Sequence, residues 1–336
     1  MAKLTIKEIA KLANVSPSAV SIVLNNRKGV SEETRGKILE IIEKLQYTPN
    51  PNSRRLLFNK TNNIAVLFRK NTSPLEHFFY SDLNRIILHE CEALGYNLIF
   101  TSVNIEDGNV VLPNVIRAYD ADGVIFYGDA DSLLLNAIRK YDIPYVIVDS
   151  HVLSNDSLSV NADYMKAAYL AADHLVQLGH LDIAYVGSSF TSNFGGQTFA
   201  GFKKAVGEHS MVIPIQWIQV DAVDEASAYL SMKEILSSGK HPSAVLCAAD
   251  IFAVGVIKCI KDHGLKIPED ISVVGIDDIL LARYLEPPLT TIRIDREEMG
   301  RLAIELLMKK INHEAAESKL LSSYELAQRS STRKYR

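Results

Sequence analysis

The sequence predicts a small all-α head followed by an α/β body built on two parallel sheets, and three observations carry that prediction. The first sixty residues hold three short helical patterns, each opened by a capping residue. From residue 61 onward, short β-branched runs alternate with amphipathic helical patterns, the arrangement of a parallel sheet covered on both faces. A chain of 336 residues exceeds one ordinary domain, and the part beyond the head is long enough for two such sheets. A hydrophobic content of 47% with 23% charged residues excludes a disordered chain. No apolar run approaches the roughly 18 residues needed to span a bilayer, so no membrane partner is expected.

In the head, Thr5-Ile6-Lys7-Glu8 fits a capping box before the apolar set Ile6, Ile9, Ala10 and Ala13. Asn14-Val15 breaks that helix. Ser16 caps a second one, with Pro17 at its first position, where the missing N–H costs nothing. Val20, Val23 and Leu24 form its inward stripe, and Pro17, Ser18, Ser21, Ile22 and Asn25 fall on the other side. Small polar residues there let a helix sit deep in a major groove. Ile22 is the apolar member of that face: it either packs back onto the head or meets an apolar partner such as a thymine methyl. Ser31-Glu32-Glu33-Thr34 opens a third helix, and three helices with a tight turn between the first two make a helix-turn-helix unit. Residues 1–60 carry eleven Lys/Arg against five Glu, whereas the remainder carries 25 basic against 35 acidic residues. The head alone is thus expected to meet a polyanion.

With these residues in view, residues 1–56 resemble the DNA-binding head of the LacI/GalR family of bacterial repressors. The matching stretches are TIKEIAKLANVSPSAVS, VSEETRGKI and YTPNPNSRRL, three motifs in order at near-family spacing. The resemblance implies a dimeric, DNA-binding transcriptional regulator, a repressor of carbohydrate or related catabolic genes whose partner is double-stranded operator DNA. It implies DNA contacts from Thr5, Ser16, Pro17, Ser18, Ser21, Ile22, Asn25, Ser31, Thr34, Tyr47, Asn50, Ser53, Arg54 and Leu56. Ile22 stands where the family usually places an arginine. Tyr47 to Asn52, with two prolines, cannot continue a helix. By resemblance, residues 48–60 are a hinge that orders on DNA, with Leu56 wedged into the minor groove.

In the body, strand-like runs cover 62–68, 96–100, 121–128, 144–149, 182–187, 243–249 and 271–277. Helical patterns cover 80–94, 164–178, 197–207, 225–238, 251–263 and 297–312. In parallel sheets a ligand sits outside the carboxyl ends of the strands. The stretches LVQLGHLDIAYVGS, ADIFAVGVIKCIKDHGLKIPEDISVVGIDD and PPLTTIRIDREEMG extend the resemblance over nearly the whole chain. They imply two Rossmann-like, periplasmic-binding-protein-like subdomains, about 61–160 with 291–320 and about 161–290 with 321–336, crossed near residues 161, 290 and 320. The head would then be 1–47 and the body 61–336. The resemblance also implies a cleft for a small-molecule effector at Phe79, Tyr80, Tyr127, Ser150, Thr198, Ala222, Ala249 and Asp277. Thr198 stands where the family usually carries a cleft arginine, Ala249 where it often has asparagine, and Ala222 where it often has an aromatic. With acceptors and aromatic faces but no fixed cation aimed inward, such a cleft favours a sugar, polyol or nucleoside, neutral or at most cationic, over a phosphate or carboxylate.

Asp277-Asp278 is a carboxylate pair, but adjacent residues at a strand end point apart, so no shared-proton dyad is expected. The nine histidines and three cysteines show no metal-ligand spacing, and no nucleophile–base set appears. No catalytic residue, metal or cofactor is therefore expected. The N-terminus has no uninterrupted apolar h-region, which makes a cytoplasmic location the expectation. No leucine heptads follow Arg329, so a homodimer is expected. Two other readings stand beside the repressor: a solute-binding protein sharing the body fold, and a regulator governed by a protein co-repressor.

Overall fold

The computed structural model describes residues 5–24, 28–45, 47, 60–69, 75–106, 109–128, 132–150, 157–321 and 323–335. The chain divides into two compact units, Met1–Asn62 and Asn63–Arg336.

In the first unit, α1 (Ile6–Ala13) begins at Thr5, whose Oγ1 accepts from the Glu8 N–H at 3.4 Å while Glu8 Oε2 accepts from the Thr5 N–H at 2.7 Å. Asn14, in the left-handed region at φ 53°, ends the helix and turns the chain. α2 (Pro17–Leu24) starts where Ser16 Oγ accepts from the Ala19 N–H at 3.1 Å. α3 (Glu32–Lys44) starts at Ser31, whose Oγ accepts from the Thr34 N–H at 3.2 Å. The three helices close over Ile9, Ala10, Ala13, Val20, Val23, Ile38 and Tyr47, with Leu24 half-buried at the margin.

The second unit begins with β1 (Asn63–Arg69), α4 (Phe78–Ala93), β2 (Asn97–Glu106), β3 (Asn109–Val111), α5 (Asn114–Arg117), β4 (Gly123–Tyr127), α6 (Ser132–Arg139), β5 (Tyr145–Val148) and β6 (Ser159–Ala162). There follow α7 (Tyr164–Gln177), β7 (Ile183–Val186), α8 (Asn193–Glu208), β8 (Ile218–Gln219), α9 (Glu225–Ser237), β9 (Ala244–Cys247), α10 (Asp250–Asp262), β10 (Ser272–Asp277) and β11 (Thr290–Ile294). The last elements are α11 (Arg296–Ile311), β12 (Lys319–Leu321) and β13 (Tyr324–Ala327).

Among the described residues these strands form two sheets, ordered β12-β6-β5-β4-β1-β2-β3 and β13-β11-β10-β9-β7-β8. Pairing is parallel except at one edge of each sheet, where β2–β3 and β11–β13 run antiparallel. Both faces of the first sheet are covered: Ile64 and Val66 of β1 join one apolar cluster, and Ala65 and Leu67 join another. That is why β1 reads as a continuous apolar run. Where α9 crosses α10 the backbones nearly touch, since a Cβ at Gly255 would lie 1.9 Å from the Glu225 carbonyl oxygen. The chain passes to the second sheet after Ala162, returns after Ile294 through α11, which packs on α4 and β5, and passes over again between Leu321 and Tyr324. The second passage thus falls after β11, which pairs with β10 in the second sheet.

Candidate functional site

On the head, α2 divides by its own periodicity. Val20 and Val23 are buried, Pro17 and Ser18 are exposed, and Ser21 and Ile22 are half-buried. Ile22 leans toward Gly29, where a Cβ would lie 3.4 Å from its Cδ1, and still keeps part of its surface. Thr5, Ser16 and Ser31 are exposed at helix starts, their hydroxyls engaged as caps; Thr34 Oγ1 lies 2.8 Å from Ser31 Oγ. Lys7, Lys11, Lys28, Lys37 and Lys44 are exposed. Tyr47 is buried in the head core, and its N–H donates to the Ile42 carbonyl at 2.9 Å. An apolar ring at the end of α3 gains more by closing that core than by facing solvent. Asn25, Asn50, Ser53, Arg54 and Leu56 lie outside the described residues.

In the body, a cavity of about 380 Å³ gathers the carboxyl ends of strands from both sheets. The first sheet and its helix contribute His77, Phe79, Tyr80 and Asp149; the second contributes Tyr164, Ser188, Ser189, Ser192, Phe194, Val223, Ala249, Ile251, Phe252 and Asp277. Asp149, at φ 60° just past β5, accepts from the Tyr80 hydroxyl at 3.0 Å and the Tyr164 hydroxyl at 2.9 Å. Burial, reinforced by Asp149, raises both phenols well above their usual range, so they stay protonated donors. Burial lowers His77, with Asp149 opposing, and leaves its ring neutral near pH 7.

Asp277 and Asp278 diverge. Burial first, and then the Asp250 carboxylate, push Asp277 well above the usual carboxylate range, with Arg296 opposing. Asp250 accepts from Thr291 Oγ1 at 2.6 Å and from the Ile279 N–H at 3.0 Å, and burial raises it to about 7. It fits only because residue 275 is glycine: a Cβ there would lie 2.1 Å from Asp250 Oδ1. At Asp278 burial works against ionisation, but hydrogen bonds from Arg329 and from Arg293, the latter at 2.8 Å, outweigh it and lower its pKa. Arg296 caps this corner: its guanidinium donates to the Asp277 and Asp278 carbonyls and to Asp82 Oδ2 at 3.1 Å, and lies 5.5 Å from the Phe79 ring centroid.

Of the residues expected in the cleft, Phe79, Tyr80, Ala249 and Asp277 line this cavity. The other four do not line it. Thr198 is fully buried in α8, its hydroxyl held by the Phe194 carbonyl at 2.9 Å and the Tyr185 hydroxyl at 2.9 Å. Ala222 is fully buried and acts through its carbonyl, which accepts from Ser188 Oγ at 3.0 Å. Tyr127 lies behind Tyr80, stacked at 4.9 Å, with its hydroxyl on Asn84. Ser150 is buried and is not among the residues that line the cavity. Sequence reasoning passed over Asp149, although the rule about strand carboxyl ends points to it directly after the 144–149 run. Tyr164 and Phe194 each open a helix behind such an end, a weaker signal. Among the described residues no cluster of His, Cys, Asp and Glu could hold a metal ion.

Residues 5–50 match the family described as bacterial regulatory proteins, lacI family, and residues 172–332 match the periplasmic binding protein-like domain. The HTH-type transcriptional repressor PurR of Erwinia tasmaniensis is 33% identical over 329 residues, covering 95% of this chain and 94% of that one. The repressor of the same name from Histophilus somni is 30% identical over 325 residues, covering 95% and 96%. The lac repressor dimer bound to operator and the anti-inducer ONPF superposes with a TM-score of 0.82 at 25% identity, covering 99% of this chain and all of that one. A LacI family regulator from Enterococcus faecium with bound ribose superposes with a TM-score of 0.70 at 25% identity, covering 82% and 100%.

Proposed function

This chain belongs to the lacI family of bacterial regulatory proteins, a DNA-binding transcriptional repressor with an effector-binding body and not an enzyme, and on that premise we propose how its two sites work. The exposed face of α2 enters the major groove of an operator as part of a homodimer, with Pro17, Ser18, Ser21 and Ile22 toward the bases and the exposed lysines near phosphates. The residues of 48–60 form the hinge. The effector is a small sugar, polyol or nucleoside, neutral or cationic, and not a phosphate or carboxylate. The observation that carries this reading is the cavity itself: aromatic walls and two acidic side chains, Asp149 and Asp277, with no lysine or arginine among the described residues that line it. An anionic ligand would leave its charge unpaired beside like charge, at a cost of several kcal/mol.

Genome-wide mapping of bound sites tests the regulatory reading. The expected result is a small set of two-fold symmetric sites upstream of catabolic genes. Binding spread without sequence preference would overturn it.

A further inference from the structure

We propose that Arg296 is the positioning residue of the body cavity, the side chain through which the wall carried by β10 and the wall carried by α4 move as one. This rests on the reading of the cavity as the effector site, and it adds how an occupant held by one wall is felt at the other.

Arg296 stands where the chain has just left the second sheet, two residues after Ile294 ends β11 and at the first position of α11. A cation there opposes the helix dipole, so α11 itself gives no reason for an arginine. The helix start is served by Asp295, whose carboxylate accepts from the Glu298 N–H at 2.9 Å. The guanidinium faces the end of β10 instead. Positive φ at Asp277 and Asp278 turns that end so that two successive carbonyls take the Nη1 and Nη2 donors, the second at 2.9 Å. A planar fork holds both in fixed orientation, which a lysine ammonium, a single point on a flexible stem, does not. Asp277 lines the cavity, so a hold on its carbonyl also fixes where its carboxyl points. The kink is held from other sides as well: Arg293 donates to Asp278 Oδ2 at 2.8 Å, and the Ile279 N–H donates to Asp250 Oδ2 at 3.0 Å.

The same guanidinium reaches α4. Its Nε donates to Asp82 Oδ2 at 3.1 Å, about one turn along the helix from Phe79, and its carbon lies 5.5 Å from the Phe79 ring centroid. Phe79 and Tyr80 are the part of α4 that lines the cavity. Burial acts against ionisation of Asp82, but hydrogen bonds from Arg296 and from Arg85, the latter at 3.0 Å, outweigh it and lower its pKa. The Arg296 side chain is 10% exposed, so water competes little for these bonds. One rigid planar group is thus bonded to both walls.

Such coupling is measured by a double-mutant cycle, here with hydrogen exchange by mass spectrometry on the full chain and no ligand added. Asp82→Ala removes the hold on the guanidinium from α4 without touching β10. It should speed exchange around Ile279, at the end of β10, about fivefold or more, and leave β9 as in wild type. Arg296→Lys should do the same, because the charge stays and the fork is lost. The two substitutions together should exchange no faster there than Arg296→Lys alone. Exchange altered by Asp82→Ala only within α4, no change around Ile279 in Arg296→Lys, or effects that multiply in the double variant would overturn the proposal. Asp82 is partly exposed on a helix surface, so its variant decides the matter should Arg296→Lys fail to fold. Operator mapping judges the regulatory reading separately, and neither result depends on the other.

Discussion

Asp277 and Asp278 both sit at positive φ, 118° and 53°, so β10 ends in a kink that turns one carboxyl toward the cavity and the other toward Arg293 and Arg329. The same sequence pair thus holds a carboxyl raised by burial and one lowered by arginines. A carboxyl raised in the fold stabilises the protein fully below its unfolded value near 4 and loses that contribution as pH rises through the folded value; for Asp250 that window runs to about 7. Relative to Asp277→Asn, the wild-type protein should lose stability as pH rises above about 4, measured by denaturant melts from acid to neutral pH. Parallel curves for the two proteins would show that Asp277 is already ionised in the fold. The histidines lowered by burial, His77, His174 and His180, act in the opposite sense below about pH 6.5, but they are common to both proteins and cancel in the difference. On the head, Ile22→Arg should shift the preferred base pair toward guanine, because a bidentate donor replaces an apolar contact. Selection of bound sites from a random library would reveal it, and an unchanged site profile would mean that Ile22 serves only to pack against the loop at Gly29.

At the scale of elements, helices with a cap and a period of 3.6 were readable from the sequence. Thr5, Ser16 and Ser31 cap where their spacing places them, and α4, α7, α9, α10 and α11 fall within a few residues of their patterns. Seven strands, β1, β2, β4, β5, β7, β9 and β10, were readable because both faces are covered, which leaves apolar runs such as 271–277. The missed strands carry no such signal. β6 reads SVNA, where polar residues are paid for by neighbours such as Ser318, whose hydroxyl accepts from the Ser159 N–H at 3.0 Å. β3, β8 and β12 are two or three residues long at or near a sheet edge, and β11 and β13 follow turns without a long apolar run. The cleft was legible at Phe79, Tyr80, Ala249 and Asp277, but not at Thr198, which points into α8's own packing. Side-chain direction depends on helix placement, which spacing alone does not determine. The crossing of α9 and α10 carries a sharper prediction. Gly255→Ala places a methyl 1.9 Å from the Glu225 carbonyl oxygen and should cost about 1–3 kcal/mol of body stability. A melt unchanged from wild type would show that the helices part freely.

Across the whole molecule, charge is divided as function requires. Eleven basic residues against five acidic mark the first sixty positions, and the excess of acid lies in the remainder, where the cavity is also acid-lined. The first part is thereby suited to a polyanion. No helix among the described residues is long and apolar enough to cross a membrane. We propose that occupancy of the body cavity governs operator affinity through Asp277. The measurement that tests it most directly is operator affinity by fluorescence anisotropy, with and without a saturating cavity ligand, in wild type and Asp277→Asn. Wild-type affinity should change by a factor of about 5–150, the usual span of coupling between sites, and the variant should bind operator as wild type does without that change. An operator affinity indifferent to ligand in the wild type, or a full response from Asp277→Asn, would contradict the account.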